Sequence, residues 1–66
     1  MDHNTETDWI DVFIADETDK AWLMDNGQRD AWIPKSQVVD SEDELKVAID
    51  TRVELPVWLL ERSELV

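Results

Sequence analysis

The 66-residue sequence has no cysteine or tyrosine and only one histidine and one glycine. Without cysteine, a disulfide framework and thiolate-metal sites are excluded. His3 cannot form a zinc site alone, because such sites need about four protein ligands. A chain this short buries only about 60% of the surface its unfolded form exposes. The fold therefore depends on apolar packing, for which the sequence offers four tryptophans and one phenylalanine.

The sequence has no long hydrophobic run, and we expect no signal peptide. No stretch approaches the roughly 20 apolar residues that span a bilayer. The first eight residues are polar and acidic, unlike the basic start and apolar run of a signal peptide. We therefore expect residues 1–8 to be a flexible acidic N-terminus, residues 9–66 to form one domain, and the protein to be cytoplasmic.

Positive charge is scarce. Six Lys and Arg residues stand against 17 Asp and Glu, which gives a net charge of −11. This exceeds the magnitude of about 2–8 that already keeps a small domain in solution. Such a field repels nucleic acid and anionic membranes and attracts basic surfaces. The alternative is an acidic surface that is simply solvated.

The first half of the chain predicts three strands. Residues 9–15 are rich in β-branched and aromatic types, with Ile10, Val12 and Ile14 on one face. Residues 20–24 and 29–33 read as two further strands. Asn26-Gly27 lies between them and predicts a type I′ turn, which needs positive φ at both central positions.

The second half predicts a fourth strand and a helix. Pro34 ends the third strand or places it at an edge, because it has no N–H to donate. Residues 35–39 form an extended or 3₁₀ segment, and residues 40–44 an acidic loop. In residues 45–50 the alternation of Leu45, Val47 and Ile49 predicts a strand with one wet face, which residues 51–55 can continue.

Pro56 suits the first position of a helix, and residues 57–64 supply it. The expected fold is therefore α+β: a small antiparallel sheet of about four strands with a short C-terminal helix.

Three segments carry a resemblance to a known group: residues 17–23, the hexapeptide WIPKSQ at residues 32–37, and LPVWL at residues 55–59. The chain resembles small bacterial and phage proteins that have a WIPKSQ segment after a hairpin and a PxWL segment near the end. The resemblance implies a fold and a mobile-element setting, with the host bacterial cytoplasm as location if the chain is phage-encoded. It implies no catalytic residues.

In size and charge the chain is similar to a second group, the phage anti-CRISPR proteins that imitate DNA. That resemblance rests on acidity rather than on a motif. It implies a partner among nucleic-acid-handling complexes, such as a CRISPR surveillance complex.

The WIPKSQ segment also has two readings from its residues alone. Lys35 and Gln37, held by a proline turn, can contact a phosphate or a carboxylate. In the reading we favour, Trp32 and Ile33 fill the core while Ser36 and Gln37 bond to turn amides. The tryptophans are likewise expected in the core, because base-stacking platforms need a basic groove that this chain lacks.

No constellation predicts an enzyme, a metal site or a cofactor. The acidic stretches 16–19 and 42–44 contain possible Ca²⁺ or Mg²⁺ ligands but do not match the spacing of a calcium loop. A two-carboxylate hydrolase needs an enclosing pocket, which so short a domain seldom forms. Ser–His–Asp and Cys–His sets and a glycine-rich phosphate loop are all missing.

The function that the acidic pattern favours is mimicry of nucleic acid. DNA-binding proteins hold DNA with rows of Lys and Arg, and carboxylates on a rigid sheet can occupy the same groove and exclude the substrate. The candidate partner-binding residues are Asp8, Asp11, Asp16, Glu17, Asp19, Asp25, Asp30, Asp40, Glu42, Asp43 and Glu44. The alternative is a small accessory module that joins a larger assembly through an apolar face.

Overall fold

A computed structural model describes residues 6–65. The elements in chain order are β1 (Thr7–Glu17), β2 (Ala21–Asp25), β3 (Asp30–Pro34), a 3₁₀ turn (Lys35–Gln37), β4 (Asp40–Ser41), β5 (Asp50–Pro56) and helix α1 (Val57–Ser63). The strands form one five-stranded sheet in the order β3-β2-β1-β5-β4, and every neighbouring pair is antiparallel. The predicted α+β class is confirmed, with five strands instead of about four.

The predicted alternation in β1 decides which side of the sheet is buried. Val12 and Ile14 are buried, and Ile10 packs against them. From β2 and β3 the same layer receives Trp22, Met24 and Ile33, and from β5 it receives Val53 and Leu55. Leu59 and Leu60 of α1 complete this core. The helix therefore covers one face of the sheet, which we call the inner face.

The hairpin between β2 and β3 is confirmed, but its predicted type I′ turn is wrong. Asp25 pairs with Asp30, so four residues rather than two connect the strands. Gly27 has a φ of 97°, whereas Asn26 is not among the positive-φ residues. Instead, Asn26 Oδ1 accepts hydrogen bonds from the N–H groups of Gln28 at 2.9 Å and Arg29 at 3.0 Å. The asparagine side chain holds the longer loop, so its backbone does not need the left-handed conformation.

The strand predicted over residues 45–50 is also wrong. β5 begins only at Asp50, and Val47 is 43% exposed in a turn. Ala48 has a φ of 73°, which interrupts an extended strand. Leu45 and Ile49 nevertheless pack against the core. Their even spacing in the sequence therefore resembles that of a strand although the segment is not extended. The regular ladder between β1 and β5 ends at the pair Phe13–Asp50, and β5 does not extend into residues 45–49.

Two further boundaries differ from prediction. Asp40, expected in an acidic loop, begins the short strand β4 and pairs with Glu54 of β5. The expected flexible segment 1–8 does not include Thr7 and Asp8, because both pair with β5. Residues 1–5 of that segment lie outside the described part of the chain.

The C-terminal end of the helix is tied to the hairpin. Glu64 follows α1 in the left-handed conformation with a φ of 63°. The N–H of Leu65 then bonds back to the carbonyl of Leu60 at 3.0 Å, which closes the helix end. Asn26 Nδ2 donates to the Leu65 carbonyl at 3.1 Å. The hairpin loop and the helix end therefore hold one another in place.

The tryptophans are less uniformly buried than expected. Trp22 is 8% exposed and belongs to the core, whereas Trp32 is 49% exposed. Trp9 and Trp58 are half-buried. The prediction that Trp32 fills the core is wrong, because alternation along β3 turns Ala31 and Ile33 inward and Trp32 outward.

Within residues 6–65, no helix is long and apolar enough to cross a membrane.

Candidate interaction surface

The second face of the sheet carries no helix and is called the outer face. Its side chains alternate with the buried ones along each strand. Within the described chain, α1 is the only α-helix, and its buried residues join the inner core. The outer face is therefore a regular surface that α1 leaves uncovered.

A row of residues crosses four strands of the outer face. Asp30 lies opposite Asp25, Asp25 opposite Phe13, and Phe13 opposite Asp50. Side chains directly opposite one another on neighbouring strands have Cβ atoms about 4.5–5.5 Å apart. The row therefore places three carboxylates and one aromatic ring on a rigid line about 14 Å long, since strands are spaced by about 4.8 Å.

The pair Asp25–Asp30 brings two carboxylates together. Like charges directly opposite on a sheet destabilise it. Asp25 Oδ1 accepts a hydrogen bond from the Gly27 N–H at 2.7 Å. This bond gives Asp25 a structural role in the hairpin loop. No cation of the described chain lies within ion-pair distance of Asp30. Asp30 thus adds negative potential at the edge without stabilising the hairpin.

A cation interrupts the acidic surface at one place. Arg52 lies opposite Asp11 on the outer face, and its guanidinium is 3.7 Å from the Asp11 carboxylate and 3.2 Å from that of Glu42. It also lies 5.7 Å from the ring centre of Trp9. All three ionised side chains are substantially exposed, so these pairs contribute only about 0–1 kcal/mol each.

Two other ion pairs lie away from the centre of this face. Lys35 pairs with Glu17 and stands 4.6 Å from the ring centre of the inner-face residue Trp22. Arg29 pairs with Glu64 and joins the hairpin loop to the residue after α1. Three of the six cations are therefore already paired with carboxylates, which leaves the remaining acidic surface weakly compensated.

The sheet brings together five of the eleven predicted binding residues. The register and the alternation place on the outer face Asp11, Asp16, Asp25, Asp30 and Asp40. Asp8 and Glu17 alternate towards the other side, since they pair with the buried Leu55 and Trp22. The segments that connect the strands hold Asp19, Glu42, Asp43 and Glu44.

Within those connecting segments the carboxylates differ in what they contact. Glu42 bonds to Arg52, and Asp43 Oδ2 accepts a hydrogen bond from the buried Thr51 at 3.0 Å. Asp43 therefore has a structural role in anchoring its loop. Neither Asp19 nor Glu44 makes a side-chain hydrogen bond within residues 6–65, and both are exposed.

Sequence reasoning missed two outer-face carboxylates, Asp50 and Glu54. Both lie on β5, on the same face as Arg52. Their signal was the alternation of charged and apolar residues from Asp50 to Leu55. The predicted strand and its continuation over residues 51–55 already turned both residues to the wet face, but neither was included among the binding candidates.

The outer face also exposes apolar side chains. Trp32 is 49% and Phe13 38% exposed, and Leu23 is half-buried directly opposite Trp32. Because Phe13 pairs with Asp25, two residues from Leu23, it lies diagonally from Leu23. We call Phe13, Leu23 and Trp32 the apolar strip.

An open depression lies where the outer face meets the loops. The side chains around it include Asp11, Phe13, Asp25, Glu42, Asp50 and Arg52. Among residues 6–65, no three His, Cys, Asp or Glu side chains are placed to hold one metal ion. The depression is open to solvent, and carboxylates make up much of its rim.

Comparison of the chain with protein-family models, curated proteins and solved structures gave no match.

Proposed function

We propose that this domain is an acidic inhibitor that occupies the basic groove of a nucleic-acid-binding protein. The carboxylates of the outer face would contact the Lys and Arg side chains that otherwise hold phosphates. Inhibition would be steric, because a filled groove excludes its nucleic acid. The proposal assigns the domain no catalytic step, no metal and no cofactor.

The observation that carries this proposal is the charged row Asp30–Asp25–Phe13–Asp50. It places acidic groups from β3, β2 and β5 on one uncovered face. Neighbouring side chains on that face are separated by about 5 Å across the strands and about 7 Å along them. This array presents a fixed pattern of negative charge to a groove that otherwise neutralises phosphates.

A second supporting point is rigidity. These carboxylates stand on hydrogen-bonded strands, and their positions are set before a partner arrives. A preorganised surface loses less conformational freedom on binding than a flexible acidic tail does. A specific form of the proposal is a phage protein that blocks a CRISPR surveillance complex in the host cytoplasm, which the resemblance to anti-CRISPR proteins implies.

The test begins with capture of partners from a bacterial lysate at low salt, with identification by mass spectrometry. We expect to capture nucleic-acid-binding proteins. Excess duplex DNA should release them, as should about 0.5 M salt, at which exposed charges are strongly screened. For a captured target, Asp30→Lys with Asp50→Lys should abolish binding. The matched control, Glu6→Lys with Glu61→Lys, changes the net charge by the same amount, but its two residues lie off the outer face. This control should retain most of the binding.

The alternative is an accessory module that joins an assembly through an apolar face, and the exposure of Trp32 favours it. That module would keep its partner at about 0.5 M salt, because apolar contacts are not screened. Capture that ignores both salt and DNA, and survives the Asp30 and Asp50 reversals, would refute mimicry and leave this alternative.

A further inference from the structure

We infer that the apolar strip of the outer face docks a basic amphipathic helix of the partner protein. The inference rests on the proposed function, since it specifies which part of a basic target reaches this surface. Exposed aromatic side chains grouped on one sheet face are typical of protein interaction sites. Leu23 and Trp32 are direct cross-strand neighbours, and Phe13 lies diagonally from Leu23.

The charges around the strip favour a basic occupant. Asp16 lies opposite Leu23, and Asp25 lies opposite Phe13. Asp30 is two residues from Trp32 and lies opposite Asp25. Each apolar residue of the strip therefore has a carboxylate beside it. Lys and Arg side chains that flank an apolar contact would meet these carboxylates and the faces of the aromatic rings.

The same charges disfavour other occupants. A second copy of the chain would also carry a net charge of −11, and its rim carboxylates would face those of the first copy. Nucleic acid and anionic membranes are repelled for the same reason. The occupant is therefore a basic protein segment.

The edge of the sheet argues against that segment being an added strand. β3 is an edge strand of five residues that ends at Pro34, which has no N–H to donate. The apolar strip itself offers no groups that could pair with the backbone of an extended peptide. A helix has its backbone groups paired internally and can lie on such a strip without leaving them unsatisfied. The strip crosses three strands, about 10 Å, which matches the width of one helix.

The test uses three synthetic peptides, each about four helical turns in length. The first has leucines along one helical face and lysines elsewhere. The second has the same composition with leucines distributed around the helix, and the third has lysines with no leucine. Binding is measured by calorimetry, and backbone amide shifts in the unmodified protein map the contact.

We expect the first peptide to bind at least about tenfold more tightly than the other two. Its contact should shift the amides of Phe13, Leu23 and Trp32 rather than those of α1. Trp32→Ser should weaken the first peptide by about tenfold, the order expected for loss of an aromatic anchor, and should leave the third unchanged. The control Val47→Ser removes another exposed apolar residue, which lies outside the sheet, and should change nothing.

The outcomes separate this inference from the proposed function. Helix docking would be overturned if all three peptides bound equally, if salt abolished that binding and if Trp32→Ser left it unaltered. Such a result would retain an acidic binding surface. Preferred binding of the first peptide that persists at about 0.5 M salt and in Asp30→Lys would retain docking of an apolar helical face and overturn the role of the carboxylates, on which mimicry depends. If Trp32→Ser does not fold, amide shifts of the unmodified protein that map to α1 would overturn docking on the strip.

Discussion

The inner and outer faces of this sheet are built from the same strands and are used in opposite ways. On the inner face, aliphatic residues and Trp22 meet Leu59 and Leu60 of α1 and are almost completely buried. On the outer face, carboxylates, Trp9 and the three residues of the apolar strip remain in contact with solvent. The inner face accounts for the stability of the fold, and the outer face retains features that do not help it fold.

The pair Trp22 and Trp32 gives the sharpest contrast, and the largest expected effect. The two residues belong to adjacent strands of one hairpin, yet their exposed fractions are 8% and 49%. Trp22→Ala should lower the free energy of unfolding by about 3–5 kcal/mol, because it leaves a cavity in the core. So large a loss would unfold most of a domain this small.

Trp32→Ala should cost less than about 1.5 kcal/mol, since half of the side chain is already in water. Thermal and urea unfolding followed by circular dichroism would measure both variants. Equal losses for the two substitutions would contradict the assignment of the faces.

The second prediction concerns the loop, which belongs to neither face. Gly27 has a φ of 97°, and a Cβ placed there would meet no atom within 4 Å. Gly27→Val should therefore destabilise the domain through backbone strain alone, by more than about 1 kcal/mol. Gly27→Asn should cost less, because asparagine tolerates positive φ better. A melting temperature that is unchanged in Gly27→Val would be incompatible with the positive φ.

The smallest expected effect is a gain in stability on the outer face. Asp30→Asn removes one of the two carboxylates that lie opposite one another in the hairpin. We expect stabilisation of about 0.2–1 kcal/mol at low salt, because like charges directly opposite are unfavourable. The gain should shrink as salt increases.

Asp19→Asn in the β1–β2 turn is the matched control for charge removal. It should change the unfolding free energy less, since Asp19 has no cross-strand carboxylate opposite it. Equal gains in the two variants would mean that general repulsion, rather than the Asp25–Asp30 pair, is responsible. If Asp30→Asn stabilises the protein but weakens capture of its partners, the acidic row is maintained at the expense of stability.

Much of the fold followed from local patterns. The alternation in β1, the hairpin at Asn26 and Gly27 and the helix after Pro56 were predicted and are confirmed. For the segment after Pro34, predicted as extended or 3₁₀, the structure has a 3₁₀ turn. Each depends on residues near one another in the chain, because turn chemistry and proline geometry act over a few residues.

The errors arose where a pattern had two solutions. In residues 45–55 one alternating pattern runs through the whole segment, and only its second half, paired with β1, is a strand. At Ala31, Trp32 and Ile33, all three residues are apolar, so alternation alone does not indicate which face is buried. A shift of one residue exchanges the two faces of a strand.

The candidate site was predictable in charge but not in arrangement. The net charge of −11 and the acidic candidates came directly from composition. That Asp8 and Glu17 alternate away from the outer face, and that Asp50 joins it, depended on strand register.

The sequence by itself therefore determined the class of fold, the hairpin, the helix and the acidity, since these depend on short-range geometry and composition. Only the tertiary structure decided which face α1 covers, that Trp32 is exposed, and which carboxylates form a row. The reason is that register is set by contacts between strands distant in the chain, and the core selects the pairing that buries the most apolar surface.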